Sequence, residues 1–170
     1  MKLSVMDDHL GLERAGWRGT ADVDWREVAG VPPPRSTVVM LAHDHKKSQL
    51  IDLAICYRDV LTEHNLVTTP TTGRLLHDMV GLTSANLSAG LDGNDEEIVA
   101  CISAPSVSAV LFLVDPFRRA HEPSIEPVLR ACAIHDVPLA TNVGTAAAVL
   151  NWLSVLDAAA NIPTLSLEEK

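Results

Sequence analysis

The sequence is short of basic residues. Lysine and arginine number 13 against 22 aspartates and glutamates, a formal net charge of −9. Such a chain lacks the basic face that neutralises phosphates along a polynucleotide, so no nucleic-acid partner is expected. A small anion is still compatible, because backbone N–H groups and one or two local cations hold it against the overall field. No apolar run reaches the roughly 18 residues that span a membrane, so no membrane association is expected either. The opening MKLSVMDDHLGLER turns acidic too early to read as a signal peptide, and a cytoplasmic location is expected. Cysteine is scarce: Cys56, Cys101 and Cys132 form no CxxC pair and are odd in number. Each falls in a stretch that reads as helix among apolar neighbours, which predicts small buried thiols in a reducing compartment. Neither a Walker loop nor a GxGxxG fingerprint occurs, so nucleotide binding has little support from motifs.

What is there is a hydrophobic fraction of 47% over 170 residues, enough for one domain with a true core. Residues 1–36 differ in texture from the rest. They hold Trp17 and Trp25 and end near Pro32-Pro33-Pro34, which reads as an N-terminal extension with a proline-rich linker. Residues 37–155 read as the folded domain and 156–170 as a polar tail. Within the domain, strand and helix signals alternate. Thr37 to Ala42, Leu66 to Thr69, Ala109 to Val114 and Pro138 to Thr141 read as strands. Between them, Leu50, Leu53, Ala54, Tyr57 and Leu61 recur at helical spacing, and helices are expected from Thr71 to Val80, Asn94 to Ser103, Ser124 to Ile134 and Gly144 to Leu153. This alternation predicts an α/β fold with right-handed crossovers and a mostly parallel central sheet.

Open parallel sheets bind ligands beyond the carboxyl ends of their strands. Four such ends read His43-Asp44-His45, Thr69-Pro70-Thr71-Thr72-Gly73, Asp115-Pro116 and Thr141-Asn142, all small, polar or ionisable. Thr69, Thr71 and Thr72 open a helix, where hydroxyls and first-turn N–H groups form a cradle for an anion. Lys47 follows the first cluster and supplies a nearby cation. His43 and His45 lack the carboxylate–histidine spacing of a metal site, so no metal is expected. Asp95 opens a helix after a loop holding Gly90 and Gly93, and is a candidate carboxylate base. Asp115 precedes His121 by six residues, and a carboxylate beside an imidazole fixes its tautomer.

These patches, in this order, resemble methylglyoxal synthase. The matching strings are LAHDHKK (41–47), TPTTG (69–73), LSAGLDGND (87–95), VDP (114–116), HEP (121–123) and PLATNVGTA (138–146). The resemblance implies a Rossmann-like three-layer sandwich and a homo-oligomer, usually a hexamer, that converts dihydroxyacetone phosphate to methylglyoxal and phosphate with no cofactor. It implies that Asp95 is the base, His121 polarises the carbonyl, Asp115 supports the site, and His43, Asp44, Lys47, Thr69, Thr71, Thr72 and Ser88 hold the substrate and its phosphate. This chain departs from the family pattern at Pro70 and Asn94, where glycine is usual, and at Ser124, where an acid is usual. The same fold also serves as an effector-binding domain in carbamoyl phosphate synthetases, so the alternative is a non-catalytic phosphate- or nucleotide-binding module.

Overall fold

A computed structural model describes residues 36–87, 95–117, 119 and 122–160 of the chain. The first strand, β1 (Thr37–Ala42), is an apolar run buried along nearly its whole length. A short 3-10 turn leads into α1 (Lys47–Cys56) and α2 (Arg58–Thr62), which break at Tyr57. Next come β2 (Asn65–Thr68), α3 (Pro70–Val80) and β3 (Ser84–Asn86). The second half holds α4 (Asp95–Ile102), β4 (Val107–Leu113), α5 (Ile125–Ile134), β5 (Leu139–Ala140) and α6 (Val143–Ala160). The final helix thus runs past the expected end at Leu153.

The strands form one sheet in the order β3-β2-β1-β4-β5, and every pairing is parallel. The expected α/β fold is present. Chain direction across the sheet reverses after β3, when the chain crosses back to place β4 on the other side of β1. The crossovers put α1, α3 and the final helix α6 on one face of the sheet and α4 and α5 on the other. Val38 and Met40 of β1 pack with Leu50 of α1, Leu76 of α3 and Leu150 of α6 on one face. Val39 and Leu41 pack with Ile98 and Ile102 of α4 and Val128 of α5 on the other. The alternation of inward residues along a strand, with both faces apolar, is why β1 reads as continuous hydrophobic sequence. The gap between β1 and β4 is therefore the switch point of the sheet, where a parallel α/β fold opens its ligand crevice.

Two expectations need correction. Cys132 is buried, and burial pushes its thiol up to about 11. Cys101 is half-buried, and burial with the nearby Glu97 raises its pKa. Cys56, however, is exposed, because α1 turns Leu50, Leu53 and Ala54 inward and leaves position 56 on the outer face. The helix at residue 71 also starts earlier than expected. Thr69 is the residue flanking α3, its side chain makes no cap bond, and Pro70 occupies the first turn. Proline is well suited there, since the N–H it lacks would have no intrahelical acceptor.

Helix α3 lies close against β3. A Cβ on Gly73 would sit 2.5 Å from Asn86 Oδ1, 2.9 Å from Ser84 Oγ and 3.3 Å from the Thr68 methyl. Glycine lets the helix bearing the threonines press onto the sheet edge. Gly73→Ala is expected to lower stability by about 1–3 kcal/mol through overpacking. Adding Asn86→Ala, which removes the nearest atom, should return part of that loss. Urea denaturation of the two variants measures both effects, and a Gly73→Ala protein as stable as wild type would contradict the close approach.

Candidate active site

His43 ends β1 and prolongs its pairing with β4 by donating its backbone N–H to the Leu113 carbonyl at 3.2 Å. Its side chain is only 1% exposed. The ring lies edge-on to Phe112 of β4, with centroids 5.0 Å apart at 76°. Nδ1 accepts the Asp115 backbone N–H at 2.8 Å, and Nε2–H donates to the Pro123 carbonyl at 3.0 Å. A backbone N–H only donates and a carbonyl only accepts, so these partners assign the tautomer. His43 joins the ends of β1 and β4 to the start of α5.

Asp115 is buried with its carboxylate committed on both oxygens. Oδ1 accepts the Phe117 N–H at 3.0 Å and Oδ2 accepts from His45 Nδ1 at 3.1 Å. The Phe117 N–H, and then the His45 ring, outweigh burial and hold this carboxyl below its usual range. Sequence reasoning pairs Asp115 with His121. Among the described residues its imidazole partner is His45, brought there by the adjacency of β1 and β4 and invisible to spacing along the chain. The His45 side chain is 68% exposed.

Asp44 and Lys47 pair with each other one turn apart, Nζ to Oδ1 at 2.6 Å. The Asp44 N–H is taken by Glu122 Oε1, also at 2.6 Å. Burial pushes the Glu122 carboxyl up, but N–H donors from Asp44 and Arg119 outweigh it and hold the pKa below the usual value. Asp95, the first residue of α4, accepts the Ser124 backbone N–H on Oδ1 at 3.3 Å. The candidate base thus reaches the start of α5, beside the segment that holds His43.

At the end of β2 the threonines divide. Thr69 Oγ donates to Thr72 Oγ at 3.1 Å, Thr72 is fully buried, and Thr71 is exposed. The Thr72 side chain is therefore enclosed where Gly73 draws this turn onto the sheet, with its hydroxyl bonded to that of Thr69. The first turn of a helix leaves N–H groups without intrahelical acceptors. Pro70 has none and Gly73 already donates to the Thr69 carbonyl at 2.9 Å, which leaves the N–H groups of Thr71 and Thr72. Asn142, at the end of β5, is occupied in capping α6 by accepting the Thr145 N–H at 3.0 Å. His121 and Ser88 lie outside the described residues, as do Gly90, Gly93 and Asn94.

His43 and His45, two residues apart, should behave oppositely. His43→Ala leaves the Asp115 N–H and the Pro123 carbonyl without their partner, at about 1–3 kcal/mol for each group left unsatisfied. His45→Ala removes an exposed ring and should change stability by no more than about 1 kcal/mol. Equal losses in chemical denaturation would contradict this assignment. The two depressed carboxyls also set an acid limb. Each has a lower pKa in the folded chain than in the unfolded one. Their contribution is therefore present above the unfolded values near 4 and is lost as pH falls through the folded values. Asp115→Asn should flatten the pH dependence of stability below about pH 4; an unchanged curve would count against the carboxylate bonds.

No family model matches the chain. It is 38% identical over 117 residues to methylglyoxal synthase of Bacillus subtilis (strain 168), an alignment covering 68% of this chain and 85% of that protein. It is 42% identical over 123 residues to methylglyoxal synthase of Cupriavidus taiwanensis, covering 72% and 92%. Among solved structures it is similar to the crystal structure of methylglyoxal synthase from Elizabethkingia anophelis NUHP1. There the TM-score is 0.65 and the identity 31%, over 69% of this chain and 78% of that one. Identity at this level across most of each relative, with a solved structure of the same fold, shows that the chain belongs to the methylglyoxal synthase family.

Proposed function

We propose that the protein converts dihydroxyacetone phosphate to methylglyoxal and inorganic phosphate. The observation that carries this reading is the placing of the Asp95 carboxylate against the Ser124 N–H, beside the segment that also holds His43. That puts a carboxylate at the ligand end of the sheet in a family of this activity.

The chemistry follows from the residue types. The Asp95 carboxylate takes a proton from the carbon bearing the free hydroxyl. The electron pair of that C–H bond moves into a C=C bond and the carbonyl oxygen becomes an enediolate. His121 is the proposed donor that stabilises this oxygen and returns protons. The hydroxyl on the deprotonated carbon then gives up its proton and becomes the aldehyde C=O, the C=C bond shifts to the next carbon, and the carbon–oxygen bond of the ester breaks, so that phosphate leaves and the proton is carried off with it. The resulting enol gains a proton at its terminal carbon, which becomes the methyl group. Atoms balance as one dihydroxyacetone phosphate to one methylglyoxal and one phosphate. The Thr71 and Thr72 N–H groups, the Thr69 hydroxyl, Ser88 and Lys47 are the proposed phosphate holders, with Asp44 keeping Lys47 in place. Asp115 acts from behind, through His45 and through its N–H on His43. A small phosphorylated substrate, a homohexamer and a cytoplasmic location complete the proposal.

Purified protein supplied with dihydroxyacetone phosphate should release methylglyoxal and phosphate in equal amounts. Asp95→Asn should lower turnover by about 10²–10⁴-fold, the contribution of a positioned general base. Equal background release by wild type and Asp95→Asn would defeat the enzyme reading. Phosphate that raises the melting temperature without any turnover would favour the non-catalytic binding module.

A further inference from the structure

Residues Glu122, Pro123 and Ser124 lie directly before α5, and each holds a different group of the site. Glu122 Oε1 accepts the Asp44 N–H at 2.6 Å, the Pro123 carbonyl accepts His43 Nε2–H at 3.0 Å, and the Ser124 N–H donates to Asp95 Oδ1 at 3.3 Å. The second Glu122 oxygen accepts the Arg119 N–H at 2.6 Å, while the Glu122 N–H returns to the Arg119 carbonyl at 3.1 Å. The side chain therefore closes its own turn and fastens it to a strand end 78 residues away.

We infer that Glu122 is a positioning residue, whose carboxylate pins the 122–124 segment to the β1 turn and so sets where Pro123 holds His43 and Ser124 holds Asp95. The chemistry demands a carboxylate. The Asp44 and Arg119 groups are both N–H donors, one to each oxygen, so two acceptor oxygens are needed on this side chain. Bonds to an ionised acceptor are shorter and roughly twice as strong as neutral ones. Glutamine has the same length but offers one oxygen and an NH2 group, which would face a second donor. Aspartate keeps both oxygens and the charge, on a stem one methylene shorter. The Asp95 contact at 3.3 Å is long and made by a single backbone N–H, so a small slip of the segment is enough to release it.

The catalytic readout rests on the activity proposed above, so the test carries a second readout that does not. The full chain is compared as wild type, Glu122→Gln and Glu122→Asp. For Glu122→Gln we expect kcat for dihydroxyacetone phosphate to fall about 10–100-fold, the scale of a misplacement near 1 Å. Glu122→Asp should recover at least part of kcat. In parallel, 15N-resolved spectra of the His43 ring should show its Nε2–H signal displaced in Glu122→Gln and restored towards wild type in Glu122→Asp. Wild-type kcat in Glu122→Gln, or aspartate no better than glutamine, would overturn the inference. A wild-type protein without turnover defeats the proposed activity alone. The His43 signal then decides, and a Glu122→Gln ring spectrum identical to wild type overturns the positioning role.

Discussion

The ligand end of this sheet depends on one buried ring. His43 sits where β1 and β4 diverge, and its two nitrogens meet two backbone groups of opposite character, the Asp115 N–H and the Pro123 carbonyl. Removing either bond leaves a main-chain polar group unpaired in the interior, which costs more than the bond itself contributes. A half-turn of the ring would set Cδ2–H against the Asp115 N–H, and the other tautomer would set Nδ1–H against it, so neither is accommodated. Its contact with Phe112 closes the remaining side. The orientation of one imidazole therefore fixes the β4 exit, which aims Asp115, and the segment before α5, whose next residue meets Asp95.

An acidic chain that handles a phosphate ester must keep its carboxylates from repelling the ligand. At the strand ends each described carboxylate is turned towards a donor of the protein. Asp115 takes an N–H and a ring N–H, Glu122 takes two N–H groups, and Asp44 takes the Lys47 ammonium. The fields of these groups are largely satisfied within the protein, while the first-turn N–H groups of α3 present positive dipole ends. Net charge then matters less than the direction in which each local charge is spent. Two groups at the same level use this logic on the unfolded side as well, since their depressed pKa values make the fold itself favour ionised carboxylates near neutral pH.

Much of this was legible in the chain. β1 coincides with its apolar run, β4 lies within two residues of its expected bounds, and the strand ends carry the polar clusters that mark the crevice. Those features are local: a buried parallel strand writes itself as consecutive apolar residues. What escaped is what depends on pairs far apart in sequence. His45 meets Asp115 across 70 positions and Glu122 meets Asp44 across 78, and no periodicity encodes either. Spacing along the chain does not show that Thr72 is buried while Thr71 is exposed. The burial of Thr72 follows from the closeness of α3 to β3 at Gly73, a fact of tertiary packing. Cys56 shows the same limit, since helical spacing locates an inner face only after the sheet is known.

Two of the positions where this chain departs from the usual family pattern, Pro70 and Ser124, fall where the main chain makes the contact. Pro70 occupies the first turn of α3, where the missing N–H costs the helix nothing and the fixed φ suits its start. The adjacent Thr71 and Thr72 N–H groups keep the direction that a helix start gives them. Ser124 reaches Asp95 through its backbone N–H, while its hydroxyl turns to Glu126 at 3.1 Å. A contact made by an N–H survives exchange of the side chain so long as the backbone path is held. Here that path is held from the neighbouring residue, by the Pro123 carbonyl on His43, and from the one before it, by the Glu122 carboxylate on Asp44. A change at Ser124 is therefore tolerated to the degree that Glu122 and His43 stay in place, and the weight of the site passes from the varied side chain to the two residues that fix its backbone.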